Sequence, residues 1–282
     1  MQPTDLISFD TLLTADEIAF RDRVRAFVDE TIRPNIVDWY ERAVFPREIV
    51  APMAELGLLG LHLDGYGCAG RSSVEYGLAA AEVEAGDSGL RTFMSVQGSL
   101  AMTAIHKHGS EEQKQEWLPH MAAGEAIGCF ALTEPGAGSD PANMTTFARR
   151  DGDDWIITGA KRWIGLASIA DVAVVWAQTD DGVRGFVVPT TTPGFTATPI
   201  EPKLSMRASV QCDLDRDARV VELADRDLVV RERAGVLEAP ELQGEEEALV
   251  DLEGHVDELL LCELERRDGA VSYTHLTLPT KA

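Results

Sequence analysis

A chain of 282 residues with 45% apolar content has room for one large or two ordinary domains, each with a core. The net charge of −23 excludes nucleic acid as a natural partner, because phosphates need basic surfaces. No run of about 18 apolar residues occurs, and the N-terminus carries acids in place of a basic-then-apolar leader. A soluble, cytoplasmic protein with no membrane partner is therefore expected. Cys68, Cys129, Cys212 and Cys262 lie far apart with no C-x-x-C pair, so reduced structural thiols are expected. The histidines form no H-E-x-x-H, and His106 and His108 fall on different faces of a helix. No metal site is expected.

Residues 1–123 read as helical. Thr14-Ala-Asp-Glu17 is a capping box, and Ile18, Phe20, Val24, Phe27 and Val28 follow at helical spacing. Pro34 should end or bend that segment, and a second helix is predicted over Arg47–Leu56. Gly57–Gly60 and Gly65–Gly70 read as connectors. A helix over Ser73–Ala85 carries Ala79, Ala80 and Ala81, small enough for close packing, and Leu90–His108 reads as one buried helix. Ser110-Glu-Glu-Gln113 is another capping box, opening a short amphipathic helix that Pro119 limits.

After Gly124 the period changes from 3.6 to 2. Strands are predicted over Gly128–Leu132, Thr145–Arg149, Trp155–Thr158, Lys161–Ile164, Val172–Gln178 and Gly185–Pro189. Asp151-Gly152 and Asp181-Gly182 mark hairpin turns. Helices first and strands second indicate an α+β protein with an antiparallel β domain over 124–210.

The composition breaks near residue 211. Residues 1–210 hold 17 basic and 29 acidic residues, whereas 211–270 hold 7 and 19, the same net −12 in far fewer positions. The segment 211–270 is left unassigned, with one possible amphipathic helix over Glu245–Arg266. Residues 271–282 read as translated sequencing-adapter sequence, and 211–270 then as a frame error or chimeric join. A divergent but real acidic tail is the alternative.

Cys129-Phe-Ala-Leu-Thr-Glu-Pro-Gly-Ala-Gly-Ser-Asp140 joins a strand to a tight turn whose backbone N–H groups and hydroxyl are not covered by bulky side chains. Trp163-Ile164-Gly165 puts a large aromatic on a strand, able to cover a flat ligand. Gly136-Ala-Gly138 is not a dinucleotide fingerprint, since Pro141 stands where the third glycine belongs. Alone, the turn also reads as an ordinary surface turn, and Trp163 as a core filler.

The ensemble in order resembles the acyl-CoA dehydrogenase family across residues 15–210. The matching segments include Glu55–Gly60, Tyr76–Leu78, Gly109–Gln113, Leu118-Pro119, Gly124-Glu125 and Leu132–Asp140. They continue with Ile157–Lys161, Trp163-Ile164, Arg184–Phe186 and Lys203–Ser209. That resemblance implies FAD and an acyl-CoA thioester held between an N-terminal helical domain, a middle β domain and a C-terminal four-helix domain. The four-helix domain, with the glutamate base of the family reaction, is absent from the recognisable match. The chain by itself is expected to be inactive and to hold FAD weakly.

The resemblance further assigns Phe130, Leu132, Thr133, Gly138, Ser139, Trp163, Ile164 and Gly165 to the flavin, with Trp163 and Ile164 as a pair packed on it. Ser139 also meets the pantetheine arm. Many relatives carry Thr at the position of Gly165, so the oxygen reactivity of the flavin here is open. Leu90–Gln97 resembles the segment by which glutaryl-CoA dehydrogenases recognise a dicarboxylic acyl chain. Arg91, with Thr92 beside it, would hold the distal carboxylate; a salt bridge to Asp87 or Glu84 is the competing role for a buried Arg91. Electron-transfer flavoprotein is the implied acceptor and a homo-oligomer the implied assembly. An acyl-CoA oxidase, or a non-catalytic relative that binds acyl-CoA or protein, remains open.

Overall fold

The computed structural model describes residues 8–152, 154–214 and the backbone of 221–224. The proposed helix over 245–266 and the tail at 271–282 lie outside the described residues.

The helical part comprises α1 (Ala15–Phe27), α2 (Ile36–Arg42), α3 (Val50–Glu55), α4 (Ser73–Gly86), α5 (Ser88–Ser95), α6 (Thr103–His108) and α7 (Glu111–Ala122). Reciprocal caps start α1 at Thr14 and α7 at Ser110, as the sequence predicts, and a third starts α4 at Ser72. Beyond α1 the chain makes a π-helical turn over Val28–Ile32, and Pro34 separates it from α2. Phe20, Val24, Val28 and Ile32 are buried with Ala79 and Val83 of α4, each larger side chain contributing about 2 kcal/mol. Gly86 lets the two elements approach: a Cβ there would meet Val28 Cγ1 at 2.9 Å. Arg25 grips Glu82 through two hydrogen bonds of 2.6 and 3.0 Å, which fixes the register of α1 on α4.

Two helix predictions change in detail. Leu90–His108 is one continuous helical run, but its middle, Val96–Met102, is π-helical between α5 and α6. Pro119 does not limit α7; it lies inside the last turn, where Ala123 N–H still reaches the Pro119 carbonyl at 3.0 Å. A proline so near the end forfeits one backbone bond and leaves the final turn intact.

The β part comprises β1 (Gly128–Ala131), β2 (Phe147–Asp151), β3 (Asp154–Thr158), β4 (Lys161–Gly165), β5 (Val172–Thr179), β6 (Gly182–Pro189), β7 (Ala197–Pro199), β8 (Gln211–Leu214) and β9 (Val221–Ala224). Strand β5 is the spine of the larger sheet. It pairs antiparallel with β6 on one edge and parallel with β1 on the other, where it also meets β2 at Phe147↔Gln178. β3 and β9 continue outward from β2, and β4, β8 and β7 form a second sheet. The expected antiparallel domain is thus mostly so, with parallel pairing at β1–β5 and β2–β5. β5 is buried along nearly its whole length, which explains its apolar run without alternation. The turn between β5 and β6 sits one residue earlier than predicted: Thr179 pairs with Gly182, leaving Asp180 and Asp181 as the loop.

The boundary at 210 is corrected. β8 pairs with β4 and β7, and β9 pairs with β3, so the β domain continues into the segment that composition had set apart. Gln211–Leu214 alternates half-buried and buried, a period of 2 too short to stand out among acids. Among the described residues no helix is long and apolar enough to cross a membrane.

Gln97 is one of the side chains that fasten the two parts together, with Arg207 donating to the Tyr40 and Glu41 carbonyls elsewhere. Fully buried Gln97, in the π-helical segment, donates to the carbonyls of Met121 (3.2 Å) and Ala126 (2.9 Å). It accepts the Gly128 N–H at 2.7 Å. The first residue of β1 is therefore fixed against the helices, with Gly128 so close that a Cβ would lie 2.4 Å from Met121 Cε.

Candidate functional site

The chain leaving β1 is pinned to β4 at successive residues. Lys161 Nζ donates to the Leu132 carbonyl at 3.0 Å, and Arg162 N–H donates to the Thr133 carbonyl at 2.8 Å. Glu134 follows, and its N–H and carbonyl close a tight turn on Ala137 (3.0 and 3.3 Å) across Pro135-Gly136. The Glu134 carboxylate accepts from Thr145 N (2.6 Å), Thr145 Oγ1 (2.8 Å), Thr146 N (2.8 Å) and Lys161 Nζ (3.0 Å). The side chains of Glu134 and Lys161 are each only 2% exposed.

Burial on its own would raise the Glu134 carboxyl, but the donors of Thr146 and Thr145 outweigh it and hold it down to about 2. Burial pulls the Lys161 ammonium below its ordinary range, with Glu134 opposing that pull. Glu134 is a saturated structural acceptor. It has no lone pair free to take a substrate proton.

On β4 the register shifts between Lys161 and Ile164, a bulge at which Trp163 adopts φ 63°. Lys161 and Ile164 face inward, whereas Trp163 is 54% exposed, with the Arg162 guanidinium 5.2 Å from its ring centre. The core-filling role for Trp163 is thereby excluded. Ile164 is buried in the core on the side of β4 opposite to Trp163, as neighbouring strand residues are; counted from inward Lys161, the bulge decides that Ile164 and not Trp163 is the inner one. Gly165 comes beside the π-helical segment, where a Cβ would sit 3.6 Å from Val96 Cγ2.

The other predicted residues divide into those at this edge and those beside it. Leu132 and Thr133 are half-buried at the end of β1. Phe130 is half-buried too, its ring packed against Trp176 at 5.7 Å. Gly138 and Ser139 are exposed on the following loop. Arg91 and Thr92 lie on α5, about 7 Å along the helix axis from Val96.

Arg91 is not the buried guanidinium that its neutral surroundings suggest. Its side chain is 36% exposed, donates to Glu84 Oε2 at 2.7 Å and reaches Ser95 Oγ at 3.1 Å. Of the two acids named from sequence, Glu84 is the partner, because α4 and α5 pack side by side; Asp87 instead caps α5 at Leu90 N–H. The Thr92 hydroxyl donates to its own helix at Ser88 O (2.8 Å).

Sequence reasoning missed the Glu134–Lys161 pair, Gln97 and Ser95. Glu134 and Lys161 stand 27 positions apart, and only the tertiary fold brings them together. A lysine opening a predicted strand of the β domain was the available clue.

The arrangement can cover a flat heteroaromatic group. An exposed indole on the bulge and a half-buried threonine at the end of β1 stand on strands fixed to each other by two hydrogen bonds, and Gly165 adds no side-chain bulk. The bound group would meet preset positions rather than a mobile loop.

Comparison with known proteins gives this geometry a family. The acyl-CoA dehydrogenase N-terminal domain profile matches residues 14–125, and the middle domain profile matches residues 129–218. The mitochondrial short-chain specific acyl-CoA dehydrogenase of Bos taurus is 38% identical over 200 residues, covering 69% of this chain and 48% of that protein. The short-chain specific enzyme of Clostridium acetobutylicum is 34% identical over 211 residues, 73% of this chain and 56% of its own.

Among solved structures, a glutaryl-CoA dehydrogenase from Mycobacterium smegmatis in complex with FADH2 is 57% identical with a TM-score of 0.78. The match covers 79% of this chain and 57% of that one. A glutaryl-coenzyme A dehydrogenase in complex with glutaryl-CoA is 31% identical, TM-score 0.74, over 78% of this chain and 57% of that chain. The chain spans about half the length of the curated relatives it matches. With both profiles in order across the helical and β parts, the chain belongs to the acyl-CoA dehydrogenase family and carries its N-terminal and middle domains.

Proposed function

We propose that this chain is the part of an FAD-dependent acyl-CoA dehydrogenase that faces flavin and acyl chain, with glutaryl-CoA, oxidised and decarboxylated, as the parent substrate. The observation that carries the flavin reading is the exposed Trp163 on the β4 bulge, beside the pinned Leu132-Thr133 edge. Trp163 would cover the ring, and the Thr133 hydroxyl or backbone would hydrogen-bond its edge, which tunes where reducing charge settles. FAD, when bound, supplies the hydride acceptor. Ser139, exposed on the loop, would meet the pantetheine arm.

Arg91 and Thr92 would hold the distal carboxylate of the acyl chain. The 57% identity to the Mycobacterium smegmatis glutaryl-CoA dehydrogenase supports that substrate over a fatty-acyl one. Glu134, with four donors on its carboxylate, is not the α-proton base, and the base would come from outside this site. On that reading the chain by itself would be inactive, and in the intact assembly electron-transfer flavoprotein would take the electrons from a homo-oligomer.

Titration of FAD into the chain tests the flavin reading. Weak but saturable quenching of tryptophan fluorescence, largely removed by Trp163→Phe, is expected. A signal without saturation would refute it, and dye reduction on adding glutaryl-CoA would refute the inactivity. Gly165 favours a second reading, an acyl-CoA oxidase, because it offers no side-chain hydroxyl to the flavin. Peroxide formation by the intact assembly would distinguish it.

A further inference from the structure

We propose that Tyr76 is a positioning residue for acyl-chain selection, acting through Ser95 on Arg91; the inference rests on the glutaryl-CoA reading above. Tyr76 projects from α4 with its phenol oxygen 2.7 Å from Ser99 Oγ and 3.4 Å from Ser95 Oγ. Its ring stands edge-on to His62, 5.4 Å between centres. Ser95 and Ser99 lie one turn apart on the helical run that carries Arg91.

One donor order satisfies every contact in this hydrogen-bond chain. The Ser95 hydroxyl donates to the Arg91 carbonyl at 3.3 Å, so its contact with Tyr76 must be donated by the phenol. The phenol then has no hydrogen left for Ser99, and Ser99 must donate to it. In that order Ser95 keeps one lone pair for the phenol and one for Arg91 Nη1 at 3.1 Å. Glu84 takes Arg91 Nε at 2.7 Å. The guanidinium is held at two points, and its other N–H groups have no hydrogen-bond partner among the described residues. Those groups are the donors left for a terminal carboxylate.

Removing the phenol oxygen frees the Ser95 hydroxyl to rotate and loosens one of the two points. Tyr76→Phe keeps the ring against His62, so the packing survives. The test measures glutaryl-CoA and butyryl-CoA affinity of the full 282-residue chain, supplied with FAD, by calorimetry. The wild-type chain is expected to prefer glutaryl-CoA. Tyr76→Phe should cut that preference about three- to tenfold and leave butyryl-CoA affinity unchanged. Ser95→Ala should do the same, and Tyr76→Phe in an Arg91→Ala background should change nothing further. An unchanged preference in Tyr76→Phe, or equal weakening for both thioesters, would overturn the role of Tyr76 while the substrate reading stands. A wild-type chain that prefers neither thioester would overturn the glutaryl-CoA reading and this inference with it.

Discussion

Lys161→Met removes the ammonium that links the β1 end to β4 while keeping the length of the side chain. Two acceptors lose a donor at 3.0 Å: the Leu132 carbonyl, and Glu134 Oε1, which keeps the Thr146 N–H. Breaking a buried ion pair costs about 3–5 kcal/mol because the partner charge is left behind. Here Glu134 keeps Thr145 N, Thr145 Oγ1 and Thr146 N, which places the loss at the lower end. Relief of the lysine's own desolvation offsets part of the about 1 kcal/mol for the orphaned carbonyl. A net destabilisation of about 3 kcal/mol is expected.

Urea unfolding of the chain, followed by tryptophan fluorescence at pH 7, reads this directly; Trp155 and Trp176 are buried in the sheet. Combining the change with Glu134→Gln should cost less than the sum of the two, by about 2 kcal/mol, since the pair acts as a unit. The acid limb gives a second reading. Glu134 is lowered from 4.5 to about 2, so its contribution is complete above pH 4.5 and is lost as the pH falls through 2. Without the ammonium the carboxyl is held down less firmly, so that loss moves to higher pH. A single-variant cost under about 1 kcal/mol, or strict additivity in the double variant, would refute the argument.

Arg91→Ala should weaken glutaryl-CoA binding at least about tenfold more than butyryl-CoA binding, and equal loss for both would leave the Glu84 contact as its whole role. Gly128→Ala places a methyl 2.4 Å from Met121 Cε and 2.8 Å from Ala101 Cβ, and should lower stability by about 2 kcal/mol in the same urea assay. A neutral result would mean that the Met121 side chain moves aside freely. Gly165→Thr should fold normally, within about 1 kcal/mol of wild type, because its Cβ meets only Val96 at 3.6 Å. A large loss would show that Gly165 is required by close packing.

Local patterns carried much of the fold. The caps at Thr14 and Ser110 start helices because each is a bond between residues three apart. The switch in period after Gly124 marks the change to strands because side-chain alternation is a backbone property. The parallel pairing of β1 with β5 was not legible, since strands 128–131 and 172–175 carry no turn to announce their direction. Nor was the boundary: acid content beyond 210 masked two short strands, one recruited by each sheet.

The family motifs and the order of helices before strands were legible in the chain alone. Tertiary structure alone decided how those residues face. The bulge after Lys161 turned Trp163 outward and Ile164 inward, the reverse of the alternation counted from Lys161. Packing of α4 on α5 gave Arg91 its Glu84 partner. Burial brought Glu134 and Lys161 together across 27 positions to hold the Leu132-Thr133 edge. Composition and spacing record short-range hydrogen bonding, whereas the direction and solvation of a side chain depend on what the rest of the chain places over it.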